Sequence, residues 1–393
     1  MKTVGIIAEY NPFHNGHAYQ IKKAKEITGA DCAVVVMNGS FMQRGLPAFA
    51  DKYTRTKMAM AGGADIVFEL PVCFGLSSAE DFAFGSISLL DTLGFVDAVC
   101  FGSEAGNIHK LLPFARLFAE EPEAYRETLS ALLKKGLGFP AAREQAAKLI
   151  LKDNLNVLSQ PNNLLGIEYL KALINLSSSM KPFTIARIGA GYHDTEDITG
   201  QNYPSASGLR SAYTDYPQSV KAGLFSNAIP EASFYYLNEA LSNYRPLTAD
   251  DFSESLYYAL RQNTGSLNRF KDVSEDLADR IEKFIPQFQT TSEFARLLHT
   301  KQYTKSRIDR CLFQILLGIK KKENTSSIPL RLLGLRKEFS SCLKNKNDII
   351  VKPAKAKEAL ATDFFASDLY HYMIYKTSGY VIESDYHHSP IIF

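Results

Sequence analysis

The chain has 393 residues, 46% of them hydrophobic and 22% charged, with a formal net charge of +2. This is ordinary globular composition, with length for two or three domains and a sizeable core. No apolar run reaches the ~20 residues that span a bilayer, an early glutamate at Glu9 with no small-residue cleavage site argues against export, and five scattered cysteines suit reduced thiols in a cytoplasm and give no zinc spacing.

In chain order, Thr3 to Ala8 has the length and β-branching of a buried strand. Asn11 and Pro12 break it, and helical spacing follows through Ala18, Ile21, Ala24 and Ile27 until Gly29. The segment His14-Asn15-Gly16-His17 therefore falls where a helix begins, in front of unpaired backbone N–H groups that attract anions such as phosphate. Gly16 has no Cβ and lets a flat group such as a nucleobase approach the backbone. These residues resemble the H-x-G-H signature of the superfamily of nucleotidylyltransferases and class I aminoacyl-tRNA synthetases. That resemblance implies attack on the α-phosphate of ATP.

A second strand is read at Asp31 to Met37, stopping at Asn38-Gly39 before the polar loop Ser40 to Pro47. Asp51 can cap a helix that Gly62-Gly63 closes, Ala64 to Leu70 is a third strand, and Ser77-Ser78 open another helix ended by Gly94. Asp97 to Phe101 runs as a fourth strand into Gly102. Alternating strands and helices predict an α/β fold with a doubly wound, mostly parallel sheet, whose ligand crevice lies beyond the carboxyl ends of the strands. The loops at His14, Asn38 and Gly102 should converge there. A helical stretch from Asn107 to about Asn175 leads to a strand at Phe183 to Ile188, and then to Pro204-Ser205-Ala206-Ser207-Gly208-Leu209-Arg210. Two hydroxyls and an arginine at a helix start make a second anion cradle. It resembles the I-S-S-T-x-I-R motif of nucleotidylyltransferases, departing from it at Pro204 and Ala206.

Near Tyr216-Pro217 the pattern turns helical, so residues 1–215 are read as the nucleotide-binding catalytic domain and 216–393 as a mainly helical domain. Leu330 to Leu335 and Ile349 to Val351 are expected as short strands in a small basic tail unit. From Arg296 to Lys357 there are sixteen Lys+Arg against four Asp+Glu, which leaves the rest of the chain at −10. Such an excess fits a polyanion-binding element or a solvated helical face.

Glu9 to His17 (EYNPFHNGH), Asn38 to Pro47 (NGSFMQRGLP), Gly63 to Pro71 (GADIVFELP), Gln160 to Gly166 (QPNNLLG) and Pro204 to Arg210 (PSASGLR), in this order, resemble bacterial tRNA(Met) cytidine acetate ligases. The resemblance implies joining acetate and ATP into acetyl-adenylate, then acetylating the exocyclic amine of the wobble cytidine in elongator methionine tRNA. It implies catalytic roles for His14, His17, Ser205, Ser207 and Arg210. Nucleotide contacts are expected from Ile7, Ala8, Glu9, Tyr10, Asn11, Pro12, Phe13, His14, Asn15, Gly16 and His17, and from Gly102, Asn162, Arg187 and Ile188. Mg²⁺ would arrive with ATP, and no protein metal ligand is assigned. Ser40, Gln43 and Arg44 are candidates for the acceptor side, or a polar turn. Lys301, Tyr303, Lys305, Arg307 and Arg310 offer the phosphate and stacking contacts that RNA loops require. A different acceptor, a small phosphorylated metabolite receiving AMP, is the alternative, and the basic segment weighs against it.

Overall fold

The computed structural model describes residues 1–152, 157–187, 205–215, 218–321 and 328–393. Ile188, Pro204 and the expected boundary at Tyr216-Pro217 lie outside the described residues.

Among the described residues eight strands form one sheet: β1 (Thr3–Ala8), β2 (Cys32–Asn38), β3 (Ile66–Leu70), β4 (Ala98–Ser103), β5 (Lys181–Ala186), β6 (Leu330–Leu335), β7 (Ile349–Ile350) and β8 (Ile391–Ile392). Their order is β5-β4-β1-β2-β3-β6-β7, with β8 beside β6. The first five strands run parallel. β1, β2 and β3 are buried almost throughout, as Val- and Ile-rich strands covered on both faces should be. From β1 the chain builds outward to β2 and β3 on one side and to β4 and β5 on the other. Strand order thus reverses between β1 and β4, and the crevice opens at their carboxyl ends.

The helices nearest this crevice start as their sequences direct. Helix α1 (Asn15–Thr28) has His14 as its N-cap and ends at Gly29 with φ 65°, and α2 (Lys52–Ala61) is capped by Asp51, which accepts from Tyr53 N–H and Thr54 N–H. Ser78 caps Ala79–Leu93, and Gly94 ends it with φ 64°.

The last third of the chain departs from the expectation of a separate tail unit. β6 pairs antiparallel with β3, and β7 and β8 both pair with β6. Its alternation of Leu with Arg331 and Gly334 looks like a minor strand in isolation, but the open edge of β3 needs a partner for its backbone N–H and C=O groups. A buried ion network fastens this edge. Lys52 Nζ lies 2.7 Å from Glu69 and 2.5 Å from Asp385, and Arg331 Nη1 lies 2.9 Å from Glu69 and 2.6 Å from Asp385. Burial alone would raise the Asp385 carboxyl, but Lys52 and Arg331 together hold it below the usual carboxylate range. Neighbouring Asp363 has no such pair, and burial followed by the charge of Glu69 pushes it up to about 7. Helix Ala361–Ser378 supplies Asp363 and Ser367 to this cluster. Aromatic residues occupy both its inner and outer faces (Phe364 and Tyr370 buried, Phe365, Tyr372 and Tyr375 exposed), so no one-sided period marks it.

Candidate active site

The crevice is a cleft of about 470 Å³ at the carboxyl ends of β1 and β4, of a size that holds small-molecule ligands. It is lined by residues from both predicted motifs: His14, Gly16 and His17 at the start of α1, and Ser205 just before, and Ala206, Ser207 and Arg210 within, helix Ala206–Asp215. Gly102, Asn162 and Arg187 complete the same wall. A hollow of about 450 Å³ between helices Ile108–Glu120 and Phe139–Leu151 shares no residue with the cleft.

The two histidines are held in one tautomer by the helix start itself. His14 Nδ1 accepts from Gly16 N–H at 3.0 Å, and His17 Nδ1 accepts from His14 N–H at 3.2 Å, a capping box built from imidazoles. With both Nδ1 atoms acting as acceptors, the proton of each neutral ring sits on Nε2. The rings stack with centroids 3.7 Å apart, and Tyr10 meets His17 edge-on at 4.8 Å. Burial, then the positive charge of Arg187, lowers the His14 pKa to about 3; burial, then His14 and Arg187, pushes His17 well below its ordinary value. The pair is therefore a set of two neutral N–H donors at a helix N-terminus, suited to receive polyphosphate charge. The His14 ring lies 2.9 Å from where a Cβ on Gly16 would stand, so a side chain here would disrupt the cap.

The second cradle is tied directly to this loop. Ser205 Oγ accepts from Gly208 N–H at 3.1 Å and lies 3.0 Å from Ser207 Oγ, while Arg210 donates to the Asn11 carbonyl. Asn11 Oδ1 accepts in turn from Phe49 N–H at 2.6 Å. On the β4 side, Arg187 donates to Asn162 Oδ1 at 3.2 Å and Asn162 Nδ2 donates to Glu104 at 2.6 Å, which fixes the orientation of the Asn162 amide. Glu104 also accepts from Asn163 N–H at 2.8 Å.

Glu104 and Arg55 have no counterpart among the residues singled out by sequence. The Arg55 guanidinium is fully buried and donates to the carbonyls of Glu9 (2.8 Å), Asn38 (2.9 Å), Ala50 (2.9 Å) and Gly39, clamping the ends of β1 and β2 together. Its acceptors are backbone groups of three separate segments, so nothing local to helix α2 announces it. Glu104 directly follows β4, and that position beyond a strand end was the available signal.

On the acceptor side, Gln43 and Arg44 line the cleft and Ser40 does not. Ser40 is buried, 3.4 Å from Ser367 Oγ, because the loop doubles back with Phe41 paired to Pro47 and sends Gln43 and Arg44 to its tip. Gly45 makes that turn with φ 81°, its Cα packed against the backbone of Asp309 and Arg310. Gln43 N–H donates to Glu9 Oε1 at 2.7 Å, joining the tip to the end of β1.

The five proposed RNA contacts separate. Lys301 and Lys305 are exposed, and Lys305 also pairs with Asp309 at 2.7 Å. Tyr303 is only 6% exposed, packed in the helical core with Arg307 over its ring at 5.3 Å, so it cannot serve as a base-stacking platform. Arg307 donates to the Asp272 carbonyl at 3.1 Å and Arg310 lies 3.3 Å from the Asp272 carboxylate, which turns both toward the protein. Further along, Arg331 is in the ion network and Arg336 lies 3.5 Å from Asp65. Phe339 lies under Lys25 in the last turn of α1, at the opposite end of the sheet from the cleft. Within the basic segment, Ser306 reaches the cleft lining. Part of the +12 excess is therefore taken up by internal pairing, at Arg307, Arg310, Arg331 and Arg336.

A family model described as HIGH Nucleotidyl Transferase matches residues 1–384. The chain is 39% identical to a tRNA(Met) cytidine acetate ligase of Clostridium perfringens, with 100% of both chains covered, and 39% identical to one of Acetivibrio thermocellus, with 97% of each covered. The crystal structure of Thermotoga maritima TmcAL bound with alpha-thio ATP superposes with a TM-score of 0.88 at 28% identity, covering 100% of both chains. The apo form of the same protein gives a TM-score of 0.89.

Proposed function

The chain belongs to the tRNA(Met) cytidine acetate ligase family, within the HIGH nucleotidyl transferases, and we infer that it activates acetate with ATP as acetyl-adenylate and passes the acetyl group to the exocyclic amine of the wobble cytidine of elongator tRNA(Met). The observation that carries the first step is the stacked pair His14 and His17, two neutral donors at a helix start that opens on the cleft.

Acetate is a poor acyl donor, and a mixed anhydride with AMP supplies the leaving group. The step is attack of an acetate oxygen on the α-phosphorus with departure of pyrophosphate, so the protein must stabilise charge on the phosphate chain. His14 and His17 donate from the helix start, and Ser205, Ser207 and Arg210 hold the outer phosphates. Asn162, with its amide oriented by Glu104, and Arg187 contact the nucleoside side. Glu9 is the one carboxylate among the described lining residues, which suits an ion held chiefly by phosphate oxygens and water; Mg²⁺ bound in this way would neutralise charge on the β- and γ-phosphates. Among the described residues no helix is long and apolar enough to cross a membrane, and a tRNA substrate places the work in the cytoplasm.

The nucleotide motifs end by Arg210 and the tRNA contacts are assigned after residue 215, to Lys301, Lys305 and the helix start beside Ser306. The test is pyrophosphate release from ATP by the purified protein with and without acetate, in the absence of tRNA. Release that requires acetate supports the reading; release indifferent to acetate, or elicited by a phosphorylated metabolite instead, refutes it.

A further inference from the structure

We propose, on the acetyl-transfer reading above, that Glu9 is the catalytic carboxylate of the second half-reaction, receiving the exocyclic N4–H group of the target cytidine and accepting its proton as the acetyl group is transferred.

The step requires a proton acceptor. The cytosine N4 lone pair attacks the carbonyl carbon of acetyl-adenylate, the new N–C bond forms, the C–O bond to AMP breaks, and AMP leaves with the electron pair. One N4 proton must depart. The lone pair is delocalised into the ring, so removal of that proton as the bond forms lowers the barrier.

The cleft offers few candidates. His14 and His17 use Nδ1 to accept from backbone N–H groups and carry their protons on Nε2, so both are donors toward the cleft. Tyr10 and Tyr169 are buried phenols that burial pushes away from ionisation. Arg44, Arg187 and Arg210 are cations. Among the described residues Glu9 is the single carboxylate in the lining.

Its position is also the right one. Glu9 follows directly on β1, with Gly102 at the end of β4, Arg187 after β5 and Asn162 at the start of helix Pro161–Asn175 on one flank and the hairpin tip Gln43-Arg44 beyond β2 on the other. It is rigidly mounted: its carbonyl accepts from Arg55 at 2.8 Å and its Oε1 from Gln43 N–H at 2.7 Å. A carboxylate has acceptor capacity beyond that one bond, and carboxylates read cytosine through its N4 amine. Phe82, Leu165 and Tyr169 supply apolar wall for a planar base. The charged and titratable groups facing Glu9 come from four elements: Arg44 on the hairpin, Arg55 on α2, Tyr169 on Pro161–Asn175 and Arg210 on Ala206–Asp215.

The test compares Glu9→Gln and Glu9→Asp with the wild type in two assays, acetate-dependent ATP–pyrophosphate exchange without tRNA, and single-turnover acetylation of elongator tRNA(Met) on preformed acetyl-adenylate. The Gln side chain keeps an acceptor for Gln43 N–H, so the hairpin stays in place. Acetylation should fall by ~10²-fold or more, the range for losing a general base, and by at least ~10-fold more than exchange, whose own loss reports what Glu9 contributes to the nucleotide-binding loop. Glu9→Asp should recover part of the loss, which a merely structural role for the side chain would not give. Equal losses in both assays would place Glu9 in the nucleotide chemistry and overturn the proposal, as would wild-type acetylation by Glu9→Gln. A wild type without acetate-dependent exchange would instead refute the acetyl-transfer reading itself, and is recognised before any variant is made.

Discussion

Replacing His14 by asparagine separates what the imidazole does for the helix from what it does for the substrate. Asparagine is a good N-cap whose side-chain oxygen can take over the bond from Gly16 N–H, so the helix start survives. The stacked contact with His17 is lost, at a cost of about 1 kcal/mol at neutral pH. The pH dependence carries the sharper signature. Folded His14 has its pKa lowered to about 3, against about 6.5 in an unfolded chain, so the unfolded state takes up the proton first. Its contribution to stability is complete above about pH 6.5 and is lost as pH falls toward 3. Between pH 7 and 5 this single group costs about 2 kcal/mol, since each pH unit below the unfolded pKa is worth about 1.4 kcal/mol. Urea unfolding at pH 7, 6 and 5 should therefore show a decline in the wild type that is shallower by about 2 kcal/mol in His14→Asn. The same variant should lose acetate-dependent pyrophosphate release by ~10²-fold or more, as for one charge-stabilising donor. Identical pH slopes would mean that the ring is not held neutral by burial, and unchanged turnover in a folded variant would remove His14 from the phosphate chemistry.

Arg55→Met should strip four carbonyls of their donor, lowering stability by about 3 kcal/mol or more and raising the ATP KM, measured by urea unfolding and initial rates. Asp385→Asn leaves Lys52 and Arg331 short of one negative charge inside the protein, and urea unfolding should report a loss of about 3 to 5 kcal/mol. Charge reversal at Lys301 and Lys305 should weaken tRNA binding and flatten its salt dependence in filter-binding titrations from ~50 to ~200 mM salt, because fewer counterions are released per complex. A titration curve superposable on that of the wild type would move the RNA-binding face elsewhere.

The parallel sheet and the cleft were legible because the signals are local. Buried-type strands, the N-cap at Asp51, the glycine stops at Gly29 and Gly94, and the two motifs that line the cleft each occupy one short window of sequence. The basic segment is only partly legible, because composition counts charges without their partners: Arg307, Arg310, Arg331 and Arg336 face Asp272, Asp385 and Asp65, residues far away in the chain. Tyr303 beside basic side chains looks the same in sequence whether it faces solvent or core, and the turn before helix Lys305–Leu316, where Tyr303 N–H donates to Thr300 Oγ1, carries it inward. β6 is likewise a long-range effect, since the strand it completes lies more than 250 residues earlier. Arg55 and Glu104 act on backbone groups and on one amide brought to them by the fold, and no spacing encodes that.

The central claim is acetate-dependent acetylation of a tRNA cytidine. It is tested most directly by incubating the purified protein with ATP, ¹³C-labelled acetate and unmodified elongator tRNA(Met), then analysing the nucleosides by mass spectrometry. The account predicts labelled N4-acetylcytidine that requires ATP and disappears in His14→Asn. Absence of label in cytidine, with ATP consumed and AMP attached to another acceptor, would contradict it.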